Sequence, residues 1–198
     1  MTGTHNGHLV NRDGLPENFP THRHAPDFWT ELGRTVATFG FLEQTLGKAI
    51  FALTATQPHD SGDVSAAYEA WLPKLQRAVS DPLGGLIDTY GKALKDHPDP
   101  NFKNPQTLLD DLRGAAPLRN VLCHGSWNAP DTEGKAVPFF ITPKMMIFET
   151  PIDVAYLRQT RAHVVELICT VIDSVTHRGW QFPGSGGPGE AIYGPART

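Results

Sequence analysis

The run Leu118-Arg119-Asn120-Val121-Leu122-Cys123-His124-Gly125 places a guanidinium and an imidazole five positions apart, at the end of a helical apolar pattern. Arginine carries a permanent charge on a planar fork that suits phosphate oxygens, and histidine exchanges protons near neutral pH. The pair therefore suits phosphate-ester chemistry. On an ideal helix a five-residue step turns by about 140°, so the two side chains do not stack on one face. Convergence would need the long arginine stem, the end of the helix at Gly125, or a second subunit.

Each residue of the run also has a structural alternative. Arg119 can pair with Glu43, an acid beside the apolar positions Leu42 and Leu46. His124 can cap carbonyls at a helix C-terminus, where the dipole favours a cation. Asn120 can serve a structural hydrogen bond. Ser126 and Trp127 follow directly, and the indole suits either stacking on a base or burial beneath the segment that comes next. Cys123 reads as a buried packing residue, because neighbouring helical side chains point apart and a Cys/His nucleophile needs contact.

Five apolar patterns must position these groups. Between Phe28 and Leu53, apolar residues recur every three or four positions and predict a long helix capped by Asp27, with Pro26 just outside. Gly33, Gly40 and Gly47 interrupt it at seven-residue spacing, which suggests close approach by a neighbouring helix. Ser65 to about Leu94 is broken by Pro73 and Pro82 and predicts two or three shorter pieces, the strongest being Pro82–Leu94. Gln106–Cys123 reads as helix with a kink or restart at Pro117, and Gly125 as its cap. Val137–Ile141 and Met145–Phe148 predict a β-hairpin. Thr150-Pro151-Ile152-Asp153 then starts a last helix running to about Arg178.

The chain has 198 residues, 39% of them hydrophobic and 19% charged, which suits one domain with a substantial core. A net charge of −4 excludes the broad basic face of a protein that grips nucleic acid along its length. Only Arg113, Arg119 and Lys135 supply positive charge near the motif, so any nucleic-acid contact must be local. Two cysteines, Cys123 and Cys169, make a disulfide framework or four-ligand zinc site improbable and fit a reducing cytoplasm. No apolar run of about 18 residues occurs, so no membrane span is expected. His5, His8, His22 and His24 are irregularly spaced and read as a solvated leader rather than a metal-binding tail. His163 and His177 lie nearly four turns apart, too far to share a ligand. No metal and no cofactor is expected.

The order of long helix, broken helix, helix ending in Arg-Asn-x-x-x-His-Gly, β insertion and long final helix resembles the HEPN superfamily over roughly Asp27 to Arg178. Its signature is an arginine followed four to six residues later by histidine, and Arg119-Asn120-Val121-Leu122-Cys123-His124 has that form. The resemblance implies an all-α bundle of four to five helices with a small β-hairpin at 137–149, inside a domain spanning 27–180. A flexible leader, 1–26, and a disordered Gly/Pro tail, 181–198, flank it. It further implies a metal-independent endoribonuclease or related nucleotide-processing protein, with His124 as general base or acid, Arg119 stabilising phosphate charge and Asn120 orienting either. Glu43, Ser126 and Trp127 would support that site. The expected partners are RNA or a nucleotide, a second copy in a homodimer, and an antitoxin or defence-system protein. Silent members of the superfamily make a binding or scaffolding module the alternative.

Overall fold

The computed structural model describes residues 9–57, 64–99, 102–142 and 144–192. Five α-helices occur among them: α1 (Pro26–Ala55), α2 (Val64–Ser80), α3 (Leu83–Asp96), α4 (Pro105–His124) and α5 (Val154–Thr176). The fold is all-α, as the apolar periodicity predicts.

α1 is the spine and packs on all four other helices. Its predicted stripe is its buried face: Phe28, Leu32, Phe39, Leu42, Leu46, Ile50 and Leu53 all lie in the core. The start differs from expectation by one step. Ala25 is the cap position, Pro26 opens the helix and Asp27 sits in the first turn. Proline there has the right φ and loses no needed hydrogen bond, while the aspartate meets the positive end of the dipole. Close approach holds for one glycine only, since a Cβ on Gly47 would lie 2.5 Å from the Ala78 carbonyl oxygen of α2. Gly33 and Gly40 face open space.

α2 passes through Pro73 without a break, so the expected interruption falls only at Pro82, which caps α3. Leu83, Leu86, Ile87, Tyr90 and Leu94 are buried as one face of α3. Tyr90 Oη donates to Ser174 Oγ at 2.7 Å and ties α3 to α5, and burial raises the phenol above its ordinary pKa. α1 and α5 run parallel, because Glu31 meets Arg158 and Arg161 near both starts while Phe41 shares a groove with Val165 and Ile168 further on. α4 runs against them: Arg119 meets Glu43 in mid-α1, and Trp127, just past α4, meets Phe28 in its first turn.

The predicted β-hairpin is corrected. No strand forms among the described residues, and between residues 126 and 152 pairing is confined to isolated bridges, Ser126 with Phe139, Ala136 with Ile152, and Ile141 with Ile147. The two predicted arms meet only over Phe140–Thr142 and Met146–Phe148, through the Ile141–Ile147 bridge flanked by the Phe148 amide donating to Phe140 and the Thr142 amide donating to Met146, while their neighbours Phe139 and Ala136 pair elsewhere. Pro138 lacks a donor, Met145 adopts a left-handed φ of 59°, and Met145, Met146 and Ile147 remain exposed with no layer above them. Ile152 is taken up by its bridge, so α5 starts later than expected and is capped by Asp153, whose carboxylate accepts from the Tyr156 amide at 2.7 Å.

Parts of both flanks touch the helices. His24 is buried, contrary to a solvated leader, with Nε2 2.8 Å from the Asn128 carbonyl oxygen and its ring stacked on Phe28. His5 and His8 lie outside the described residues. After α5 the Glu190 amide donates to the Gly179 carbonyl, the Gln181 amide donates to Glu190, and Phe182 enters the core. Gly189 permits this return, since its φ is +117° and a Cβ would lie 2.5 Å from the backbone of Trp180.

Candidate functional site

α4 remains helical across Pro117 and stops at His124. Gly125 caps it in an extended conformation, φ −68°, with its amide donating to the Val121 carbonyl at 2.8 Å. The glycine is there for space rather than for a left-handed turn: a Cβ would meet the Val121 oxygen at 2.6 Å and Pro138 Cβ at 3.0 Å. Ser126 then exchanges two backbone hydrogen bonds with Phe139, which turns the chain sharply away from the helix end.

Arg119 is 25% exposed and its Nε lies 3.0 Å from Glu43 Oε1, itself on a side chain 24% exposed. The contact is an ion pair rather than an aligned hydrogen bond, since that buried carboxylate oxygen receives no well-directed donor. Nη1 reaches Asn120 Oδ1 at 3.4 Å, a long and weak contact. His124 stands exposed in the last turn, with no hydrogen bond or ion pair to Arg119 among the described residues. The two groups thus share a helix end, one turned toward α1 and the other toward solvent.

The remaining positions divide. Asn120 and Ser126 are exposed. Trp127 is partly buried, but against Phe28 at 4.9 Å and His24 at 6.3 Å rather than beneath a hairpin. Cys123 and Cys169 are exposed and unbridged, which corrects the expectation of a buried Cys123; Leu122 takes the core position and the next residue is carried about 100° round. The cations near the motif are engaged by acids: Arg113 with Asp88 at 3.2 Å and Asp110 at 3.6 Å, and Lys135 with Glu133 at 2.7 Å.

Two cavities border this region. One of about 510 Å³ between α1, α2 and α3 is lined by Glu43, Gln44, Lys48 and Asp81, so Glu43 links Arg119 to it. Another of about 370 Å³ between α4 and α5 is lined by Asp110, Asp111, Leu118, Tyr156 and His163. No three His, Cys, Asp or Glu side chains converge in a metal-binding arrangement among the described residues, and no helix there is long and apolar enough to cross a membrane.

The sequence reading missed Glu31. Its side chain is only 6% exposed and faces Arg34, Arg158 and Arg161 at 3.3–3.5 Å. The signal was an acid placed three residues after Phe28 and four before Thr35, inside the buried stripe of α1. No family model, curated protein or solved structure matches the chain.

Proposed function

We propose that this chain is a HEPN-like, metal-independent endoribonuclease or related nucleotide-processing protein of the cytoplasm, acting as a homodimer through Arg119 and His124. The observation that carries the reading is the end of α4, where an exposed imidazole follows a guanidinium that Glu43 holds half-buried. In the reaction His124 takes the proton of a ribose 2′-hydroxyl. The O2′–P bond forms, the P–O5′ bond breaks, and the imidazolium returns its proton to the departing O5′, leaving a 2′,3′-cyclic phosphate and a 5′-hydroxyl. Arg119 neutralises charge on the non-bridging oxygens, with Asn120 orienting the phosphate. A second copy supplies the convergence that a five-residue step of about 140° denies.

A specific contact favours a second reading. Because Glu43 occupies Arg119 Nε, a phosphate must compete with a carboxylate already in place, which suits a silent dimeric module that binds a nucleotide or a protein such as an antitoxin or defence-system partner. The discriminating experiment incubates purified protein with assorted RNAs in a chelator and analyses the termini produced. Cleavage to cyclic-phosphate ends that falls at least 10²-fold in Arg119→Ala and His124→Ala is the expected result. Unchanged cleavage in both variants overturns the site, and no cleavage of any RNA by the parent protein favours the module.

A further inference from the structure

Three arginines converge on one carboxylate where the α1–α5 seam begins. Glu31 Oε1 lies 3.4 Å from Arg34 Nη1 and 3.5 Å from Arg158 Nε, and Oε2 lies 3.3 Å from Arg161 Nη2. Three guanidiniums against one carboxylate leave a local charge of +2 in a chain whose net charge is −4. Glu31 Oε2 and Arg161 Nε are buried without an aligned hydrogen bond. Arg34 and Arg158 are 62% and 59% exposed, so much of each fork faces solvent. The buried acid acts as a template that holds cationic forks side by side and lowers the ordering cost of engaging an anion.

The cluster opens onto an apolar groove. Ala37, Thr38 and Phe41 follow Arg34 by three, four and seven residues, and Val165 and Ile168 follow Arg161 by four and seven, so they continue the same faces. These five residues line a shallow groove of about 350 Å³ in which Phe41 is half-exposed. The helical rise from Arg34 to Phe41 is about 10 Å. Cations for a backbone beside an apolar platform for a base is the combination that single-stranded nucleic acid requires. His124 ends α4 three residues before Trp127, which packs on Phe28 in the first turn of α1.

We propose that Arg34, Arg158 and Arg161 form a phosphate-binding site, with the Phe41 groove receiving an attached base, so that the α1–α5 seam docks single-stranded RNA. The identity of the nucleic acid rests on the RNA reading above; the phosphate site is tested separately from cleavage. A labelled single-stranded oligoribonucleotide is titrated with His124→Ala protein, so that the probe stays intact, and anisotropy is read across a salt series. Adding Arg34→Gln and Arg158→Gln together weakens binding at least tenfold and lowers the log–log salt slope by about 1.4, near 0.7 for each lost cation. Phe41→Ala weakens binding with the slope unchanged. Competition with adenosine monophosphate separates the sources: displacement at equal phosphate concentration marks a free nucleotide as the ligand, and its failure marks the polymer backbone. The charge-matched control Arg12→Gln with Lys92→Gln, both exposed residues remote in sequence from the cluster, leaves affinity unchanged. Equal loss in that control, or no loss in the arginine pair, overturns the proposal. Binding that depends on the arginines in a protein that cuts no RNA removes the cleavage reading and leaves this site standing.

Discussion

Glu43 governs how Arg119 can be used, because it engages the guanidinium through Nε and leaves the Nη edge turned toward Asn120. Glu43→Gln keeps the shape and removes the charge. If Glu43 positions Arg119 for chemistry, kcat falls by roughly tenfold while KM stays within about twofold, the signature of an interaction realised in the transition state. Stability changes by less than about 1 kcal/mol, because the pair is partly solvated. A rise in cleavage would instead mark Glu43 as a silencer. At this scale the sequence was informative where the signal was local: Glu43 beside Leu42 and Leu46 pointed to its pairing with Arg119. Arg158 and Arg161 gave no comparable sign, because their meeting with Glu31 depends on the register of two helices more than a hundred residues apart.

At the scale of elements, the glycines of α1 make opposite predictions. Gly47→Ala drives a methyl group toward the Ala78 carbonyl, where 2.5 Å is available, and should cost about 1–3 kcal/mol as the helices separate. Gly40→Ala enters open space on an exposed helix surface and should stabilise by about 0.5–1 kcal/mol. Urea denaturation of both variants measures the pair, and equal signs would contradict the helix register. The join between α1 and α3 carries a pH dependence. His97 Nδ1 accepts from the Asp99 amide at 3.2 Å, so Nε2 carries the proton and donates to Thr56 Oγ1 at 3.2 Å. Burial, reinforced by the Arg178 charge, lowers the His97 pKa below 6.5. The unfolded chain therefore binds the proton first, and stability present above about pH 6.5 is lost as pH falls toward the folded-state value. His97→Gln flattens that slope; an unchanged slope in the variant assigns it to another group. α1, α3, α4 and α5 were legible because apolar spacing reports burial directly, whereas α2 was expected to break at Pro73 and does not. The hairpin was not, since propensity in Val137–Ile141 cannot show that Phe139 pairs with Ser126 and Ala136 with Ile152.

At the scale of the whole molecule, net acidity and a local cationic site coexist because carboxylates pair with Arg113, Arg119 and Lys135, while Glu31 balances only one of three arginines. The three arginines stand where α1 and α5 start. The central claim is that Arg119 and His124 act as one unit on a phosphodiester. A double-mutant cycle on single-turnover RNA cleavage tests it most directly, with Arg119→Ala, His124→Ala and the double variant measured in a chelator. Joint action predicts that the double variant is no slower than the slower single variant. Losses that simply multiply, or a rate unaffected by either substitution, would contradict the account.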